Sequence, residues 1–233
     1  MTINIMRNGE KVSYKVAEKD VTLLQVLNEI KTTQDRTLSF SSDCRSSVCG
    51  SCAMRVNGKE VLACAYKPES GDLVEPLRNV PVIRDLVVDM EKALSFNKVA
   101  TTWAVSPDQV TTVSPENANI NEVQSDCILC GACYSACPVY AVNPEFIGPF
   151  ALTRNWRYVS DVREEDVAGK IASVQNNGIW DCTLCGECVP VCPQGIAPKT
   201  DIDMLRNKSN VMGYMDPKYA SFGGGLDFGA PSF

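Results

Sequence analysis

Cys127-Ile-Leu-Cys130-Gly-Ala-Cys133-Tyr-Ser-Ala-Cys137-Pro138, repeated as Cys182-Thr-Leu-Cys185-Gly-Glu-Cys188-Val-Pro-Val-Cys192-Pro193, is the reading that decides the fold. Each stretch is a bacterial ferredoxin run, and two copies in one chain make an internal repeat. In such pairs the fourth Cys of each run ligates the cluster of the other. Cys127, Cys130, Cys133 and Cys192 are therefore expected to hold one [4Fe–4S] cluster. Cys182, Cys185, Cys188 and Cys137 are expected to hold a second. The crossing would staple the runs together and bring the clusters close enough for fast electron exchange. Each Pro ends a local turn, and Gly131 and Gly186 give the backbone room beside the clusters.

Upstream stands a third constellation, Cys44-x4-Cys49-x2-Cys52, with Cys64 further on. This is the plant-type [2Fe–2S] spacing. Three thiolates from one short loop wrap a compact cluster, and the fourth arrives from a strand. Small neighbours (Ser46, Ser47, Gly50, Ser51) let backbone N–H groups point at the sulfurs, which offsets negative charge and tunes potential. Arg45 adds a positive charge nearby.

Twelve Cys in 233 residues admit three chemistries: disulfides, zinc and iron–sulfur. Disulfides need an oxidising compartment and typify short chains without a core. All-Cys zinc sites also use two-residue spacings. A four-residue spacing is uncommon for zinc, and two complete runs ending in Cys-Pro would have to coincide. With no His, mixed Cys/His zinc sites, Rieske centres, His-ligated haem and His-based nucleophile pairs are excluded. There is no P-loop, and no GxGxxG follows a strand. Trp103, Trp156 and Trp180 read as core rather than relay, with Trp180 shielding the cluster at Cys182.

Hydrophobic residues make up 45% and charged residues 21%, ordinary for a globular chain. The net charge of −6 argues against nucleic acid as a partner. No apolar run approaches a membrane span, and the start lacks the apolar core of a signal peptide. The chain is expected to be peripheral on a membrane, on the cytoplasmic side, unless exported with a partner carrying its own signal.

Ile3, Ile5 and Val12, Tyr14, Val16 alternate around Asn8-Gly9, predicting a hairpin over residues 1–20. Thr22 reads as an N-cap for a helix carrying Leu23, Leu24, Leu27 and Ile30. A second hairpin is expected at Ala53–Val56 and Glu60–Ala63, and a strand at Leu73–Leu77. A small mixed sheet wrapped on one helix is the simplest packing. Residues 82–94 show an apolar helical stripe. The Thr/Ser/Pro/Asn-rich stretch after it predicts a boundary near residue 105. Asp161 and Glu164 resemble a capping box. The expected domains are 1–105, 106–207 with two cubane-type clusters, and an extended Gly/aromatic tail, 208–233. The tail carries Tyr214, Tyr219, Phe222, Phe228 and Phe233.

A plant-type domain followed by two Cys-Pro-terminated runs resembles the iron–sulfur subunits of the succinate dehydrogenase/fumarate reductase family. The resemblance covers about residues 1–205. It rests on Cys44-Arg-Ser-Ser-Val-Cys49-Gly-Ser-Cys52, Arg84-Asp-Leu-Val-Val-Asp89 and Cys192-Pro-Gln-Gly-Ile-Ala-Pro198. It implies an α+β fold: an N-terminal β-grasp ferredoxin domain, then an α-helical ferredoxin domain. It implies a non-catalytic subunit that carries electrons between a flavoprotein holding FAD, where succinate and fumarate interconvert, and a quinone or other carrier at a third subunit. Two departures stand out. Most members carry a non-Cys residue where this chain has Cys185, and their third cluster is [3Fe–4S]. Here a thiolate would retain a fourth iron, giving [4Fe–4S], with [3Fe–4S] as the alternative. Quinone-reducing members present Trp after the first Cys-Pro and His in the second run. Here Val139, Tyr140 and Ala141 follow Pro138, and Thr183 follows Cys182. This resembles the branch whose third subunit is a cysteine-rich, heterodisulfide-reductase-like protein rather than a membrane anchor. Competing readings are a subunit of another flavoenzyme, such as a thiol-dependent fumarate reductase, and a free multi-cluster ferredoxin.

Overall fold

The computed structural model describes residues 1–17, 20–105 and 112–220. Phe222, Phe228 and Phe233, with the second half of the expected tail, lie outside them.

The chain opens with β1 (Thr2–Arg7) and β2 (Glu10–Lys15), antiparallel, turning at Asn8 (φ 49°) and Gly9 (φ 86°). Helix α1 (Leu23–Thr33) starts at Thr22, which forms a reciprocal capping box with Gln25. Leu23, Leu24, Val26, Leu27 and Ile30 of α1 are all buried. Each contributes roughly 1.5–3 kcal/mol by leaving water. Strands β3 (Ala53–Val56), β4 (Lys59–Leu62) and β5 (Leu73–Glu75) complete a five-stranded sheet in the order β2-β1-β5-β3-β4. Only β1 and β5 run parallel. The expected small mixed sheet on one helix is therefore present, and with the helical second half it gives the α+β class.

The stripe at 82–94 is not one helix. Val82–Arg84 (β6) and Val87–Val88 (β7) form a small hairpin, and helix begins only at α2 (Glu91–Val99). Pro81 sets an extended start, and Asp85 takes a left-handed turn (φ 49°). The Asp85 carboxylate, 1% exposed, accepts from Arg7 and from the Ser39 N–H. A helix would forfeit these bonds to a buried charge, so the turn wins. Val82 and Ile83, placed on a buried stripe by their spacing, are exposed.

The second half contains α3 (Pro115–Asn119), α4 (Glu122–Ser125), α5 (Ala132–Ser135), α6 (Pro138–Val142), α7 (Pro149–Val159), α8 (Val167–Ser173), α9 (Pro198–Val211) and α10 (Pro217–Ala220). Helix α7 is the hub, packed on α2, α4, α5, α8 and α9. Its core gathers Phe146, Phe150, Leu152, Ile171, Ile179, Ile202 and Leu205. Ala93, Phe96 and Ala100 belong to this core, so residues 91–100 pack with the second half.

The stretch just past residue 100 is tied down rather than free. Lys170, 1% exposed, pairs with Glu164 and donates to the carbonyls of Thr101 and Trp103. Glu164 also accepts from the Val105 N–H. This corrects the capping box: Asp166 caps α8 through the Gly169 N–H, while Glu164 serves a buried ion pair. Trp103 is 47% exposed and not core, whereas Trp180 is buried. Helix α9 carries Lys208–Val211, so the expected extended tail begins as helix. Tyr214 packs on the second core, and Tyr219 is exposed.

Candidate metal centres

The loop centre is built from backbone. The Cys44–Cys52 loop puts Arg45 (φ 60°), Ser47 (φ 62°) and Gly50 (φ 74°) in left-handed conformations, which turns successive N–H groups inward. Ser46 N–H and Cys49 N–H donate to Cys44 Sγ at 3.4 and 3.3 Å. Ser47 N–H donates to Cys64 Sγ at 3.2 Å, joining the loop to the turn that follows β4, so the fourth thiol comes from a turn and not from the expected strand. The Ser51 hydroxyl lies 3.1 Å from Cys49 Sγ. Backbone donors from Ser46, Val48 and Cys49 pull the Cys44 thiol down to about 6. Cys52 is buried beside Cys64, and burial pushes it up to about 11.

The two runs share a backbone. Leu129 and Leu184 both have φ 56°, followed by Gly131 (φ 80°) and Gly186 (φ 90°). They line two separate cavities. Around one stand Cys127, Cys130, Cys133 and Cys192, with Ile128, Leu129, Phe150 and Ile196 as apolar wall. Around the other stand Cys182, Cys185, Cys188 and Cys137, with Val139, Phe146 and Ile202. Each cavity thus takes three thiols from one run and the fourth from the other. Neither lining contains a carboxylate. Burial raises the thiols: Cys130 to about 11, Cys188 to about 12, Cys133 well above the usual thiol range. Arg154 beside Cys127, and Arg206 and Lys199 near Cys182, oppose that rise.

Three residues outside the cysteine spacings hold the centres in place. Asn79 donates its side-chain amide to the carbonyls of Tyr134, Ser135 and Cys137, gripping the segment that carries Cys133 and Cys137. Arg206 donates to the carbonyls of Ile179 (2.8 Å) and Cys182 (2.5 Å). Gln194, after the last Cys-Pro, donates to Ser47 O at 3.2 Å and ties the loop to the repeat. No local pattern marks them, because each acts across long sequence separation. Trp180, two residues before Cys182, is buried and donates its indole N–H to Gln175.

Gly50 packs tightly against the second half. A Cβ there would lie 2.8 Å from Cys130 Cβ and 3.0 Å from Ile128 O. The loop centre therefore abuts the Cys130 cavity.

The residues present fit iron–sulfur clusters: all-thiol donor sets, apolar walls and inward N–H groups. Among the described residues, no Cys, Asp or Glu side chains converge tightly enough to hold a single metal ion. The thiols ring spaces instead of a point, which suits a cluster better than a lone zinc.

Comparison with known proteins agrees. Residues 4–95 match the family model described as "2Fe-2S iron-sulfur cluster binding domain", and residues 123–196 match "4Fe-4S dicluster domain". The 8-methylmenaquinol:fumarate reductase iron-sulfur subunit of Wolinella succinogenes is 37% identical over 218 residues, covering 86% of this chain and 68% of that protein. The fumarate reductase iron-sulfur subunit of Mycobacterium tuberculosis is 41% identical over 191 residues, covering 76% of each. The chain belongs to the iron–sulfur subunits of the fumarate reductase/succinate dehydrogenase family. Its role is electron transfer, as a non-catalytic subunit of an oxidoreductase. The fold of a chain in the Mycobacterium smegmatis Sdh1 complex in the apo form also matches, with TM-score 0.81 and 24% identity, over 93% of this chain and 98% of that one. The β-grasp-then-helical order expected of such a subunit is the order found.

Proposed function

We propose that this subunit relays electrons between an FAD-bearing flavoprotein, where succinate and fumarate interconvert, and a third subunit. In this reading Cys44, Cys49, Cys52 and Cys64 hold a [2Fe–2S] cluster. Cys127, Cys130, Cys133 and Cys192 hold one [4Fe–4S], and Cys182, Cys185, Cys188 and Cys137 hold another. The observation that carries it is the exchange of fourth thiols between the two cavities, with Gly50 pressed on Cys130. When bound, such clusters accept and return single electrons.

The protein's own residues set the path. Each end of the row has one exposed thiol, Cys44 and Cys185, whereas none of the four thiols of the middle cavity is exposed. An open end suits a partner, so the flavoprotein is assigned to the Cys44–Cys64 end and the third subunit to the Cys185 end. Phe150, Ile196 and Trp180 keep water from the middle and the far cavity. The Cys185 thiol stands among the far cavity's lining, which favours a fourth iron there.

The third subunit is assigned to the cysteine-rich, thiol-linked type. Tyr140 is only 4% exposed, locked edge-on against Phe96 and Tyr134, so its ring is not presented to a quinone. None of the described helices is long and apolar enough to cross a membrane, so membrane attachment would be peripheral, through that subunit.

Purification without air, with iron and sulfide counting, EPR and mass spectrometry of bound subunits, tests the assignment. The expected result is about ten irons per chain, a flavoprotein partner, and fumarate reduction driven by a dithiol. A stoichiometric three-iron signal in the oxidised complex would refute the Cys185 assignment. Zinc without acid-labile sulfide would refute the whole reading.

A further inference from the structure

The two runs share their backbone, and each cavity has a cation close to a thiol, Arg154 at Cys127 and Arg206 and Lys199 at Cys182, but they differ in whether a charge enters the lining itself. The Cys127 cavity has no charged side chain in its lining. The far cavity has one, Lys199. Lys199 is the second residue of α9, and Ile202 and Arg206 follow on the same helical face. Ile202 also lines the cavity. The backbone N–H of Lys199 donates toward Cys188, and its charge reaches Cys182. Its stem lies alongside Gly186: a Cβ built on that glycine would sit 3.8 Å from Lys199 Cδ. Arg206 is already committed to the carbonyls of Ile179 and Cys182. Among the described residues, Lys199 has no ion-pair partner, so no carboxylate cancels its charge there.

Charge near a cluster sets its affinity for an electron. A fourth thiolate makes the centre more negative and disfavours reduction. A cation, or helix N–H groups directed at the sulfurs, does the reverse. In this chain the added thiol and the uncancelled cation face the same cavity.

We propose that Lys199, together with the first N–H groups of α9, raises the reduction potential of the far centre and offsets the charge that the Cys185 thiolate adds. The inference rests on the reading of Cys185 as a ligand. Lys199 is a tuning residue: it neither ligates nor transfers protons. It keeps the terminal centre able to accept electrons from the middle one despite a four-thiolate shell.

The test is EPR-monitored redox titration of the intact complex carrying Lys199→Met or Lys199→Arg. For K199M the electron-uptake constant of the far centre is expected to fall about tenfold, or about 59 mV for one electron. K199R is expected to stay near wild type, and the other two centres not to move. Lys199 is exposed, so neither variant empties the core. If K199M loses iron, Lys199→Gln gives the same measurement. An unmoved far centre overturns the proposal. So does an equal fall in all three centres, or a fall in K199R as deep as in K199M. Wild-type iron content separates the two claims: a three-iron far centre defeats the Cys185 reading, and the Met/Arg comparison still reports on the lysine.

Discussion

The Cys44–Cys52 loop and the twin runs solve one problem in opposite ways. In the loop, thiols near the surface are met by backbone N–H groups, which draw Cys44 down to about 6. In the runs, thiols are set in apolar walls and burial drives Cys130 and Cys188 up to about 11 and 12. Cys44 thus gives up its proton more readily than a free thiol. Cys130, Cys133 and Cys188 hold theirs more tightly, so metal binding there would be coupled to proton release. Hydrogen bonds dominate at Cys44, while desolvation dominates at the buried thiols of the runs and at Cys52 within the loop centre.

The strongest way to break this comparison is to remove the shared thiol. Cys137 sits in the first run but lines the far cavity. Cys137→Ala is expected to abolish or degrade the far centre, while the Cys127 and loop centres keep their EPR signals. Selective loss of the Cys127 centre would show that the runs are not crossed. In the loop no such exchange exists, so Cys49→Ala is expected to erase only the loop centre.

Next in size is the seam between the two regions. Gly50 combines a positive φ with a Cβ direction already filled by Cys130 and Ile128 O. Gly50→Ala must strain the backbone and push the regions apart, a cost of roughly 2–4 kcal/mol. A lowered unfolding midpoint, with the Cys127 centre still formed but reduced more slowly from the flavoprotein side, is the expected pattern. An unchanged midpoint would mean that the regions do not touch there.

Asp201 sharpens the burial half of the contrast. It is 3% exposed and accepts from Gln124 and from Thr153, which lines the Cys127 cavity, with no cation bonded to it. Burial raises it from 3.8 to about 6. Because the folded value lies above the unfolded one, stability is fully present below about 4 and is lost as pH rises through about 6. Asp201→Asn is therefore expected to stabilise the protein at pH 8, by roughly 2–3 kcal/mol. The gain should shrink steeply by pH 5. Thermal unfolding at both pH values checks it; a gain that does not change with pH would mean that Asp201 is not held protonated by burial.

The proposed ligands are legible in the sequence because cluster chemistry imposes spacing, and spacing is local. The same holds for the Asn8-Gly9 hairpin and the Thr22/Gln25 cap, where neighbouring residues carry the whole signal. Residues 82–94 misled because Val82, Ile83, Leu86 and Val87 fit a helical stripe as well as two short strands. What decides there is the Asp85 carboxylate bonded to Arg7 and Ser39, which no window around residue 85 contains. Glu164 is the same lesson: it reads as a capping partner for Asp161, yet its charge belongs to Lys170 and the Val105 N–H. Asn79, Arg206 and Lys199 were unreadable for a third reason. They touch the centres through folded proximity, and in the sequence an Asn, Arg or Lys there looks like any solvent-facing polar residue.

The smallest expected effect lies in the loop, and it separates hydrogen-bond tuning from burial. Ser51 Oγ is 3.1 Å from Cys49 Sγ, and with a thiolate the hydroxyl must be the donor. Ser51→Ala removes one hydrogen bond to charge at a partly exposed site, worth roughly 0.5–1.5 kcal/mol. That loss falls on the reduced, more negative state, so the loop centre's potential is expected to drop while both run centres hold theirs. Ser51→Thr keeps a hydroxyl and is expected to restore most of the difference. If S51A shifts nothing, the backbone donors of Ser46, Ser47 and Cys49 alone tune the loop, and side chains there serve only to leave room for them.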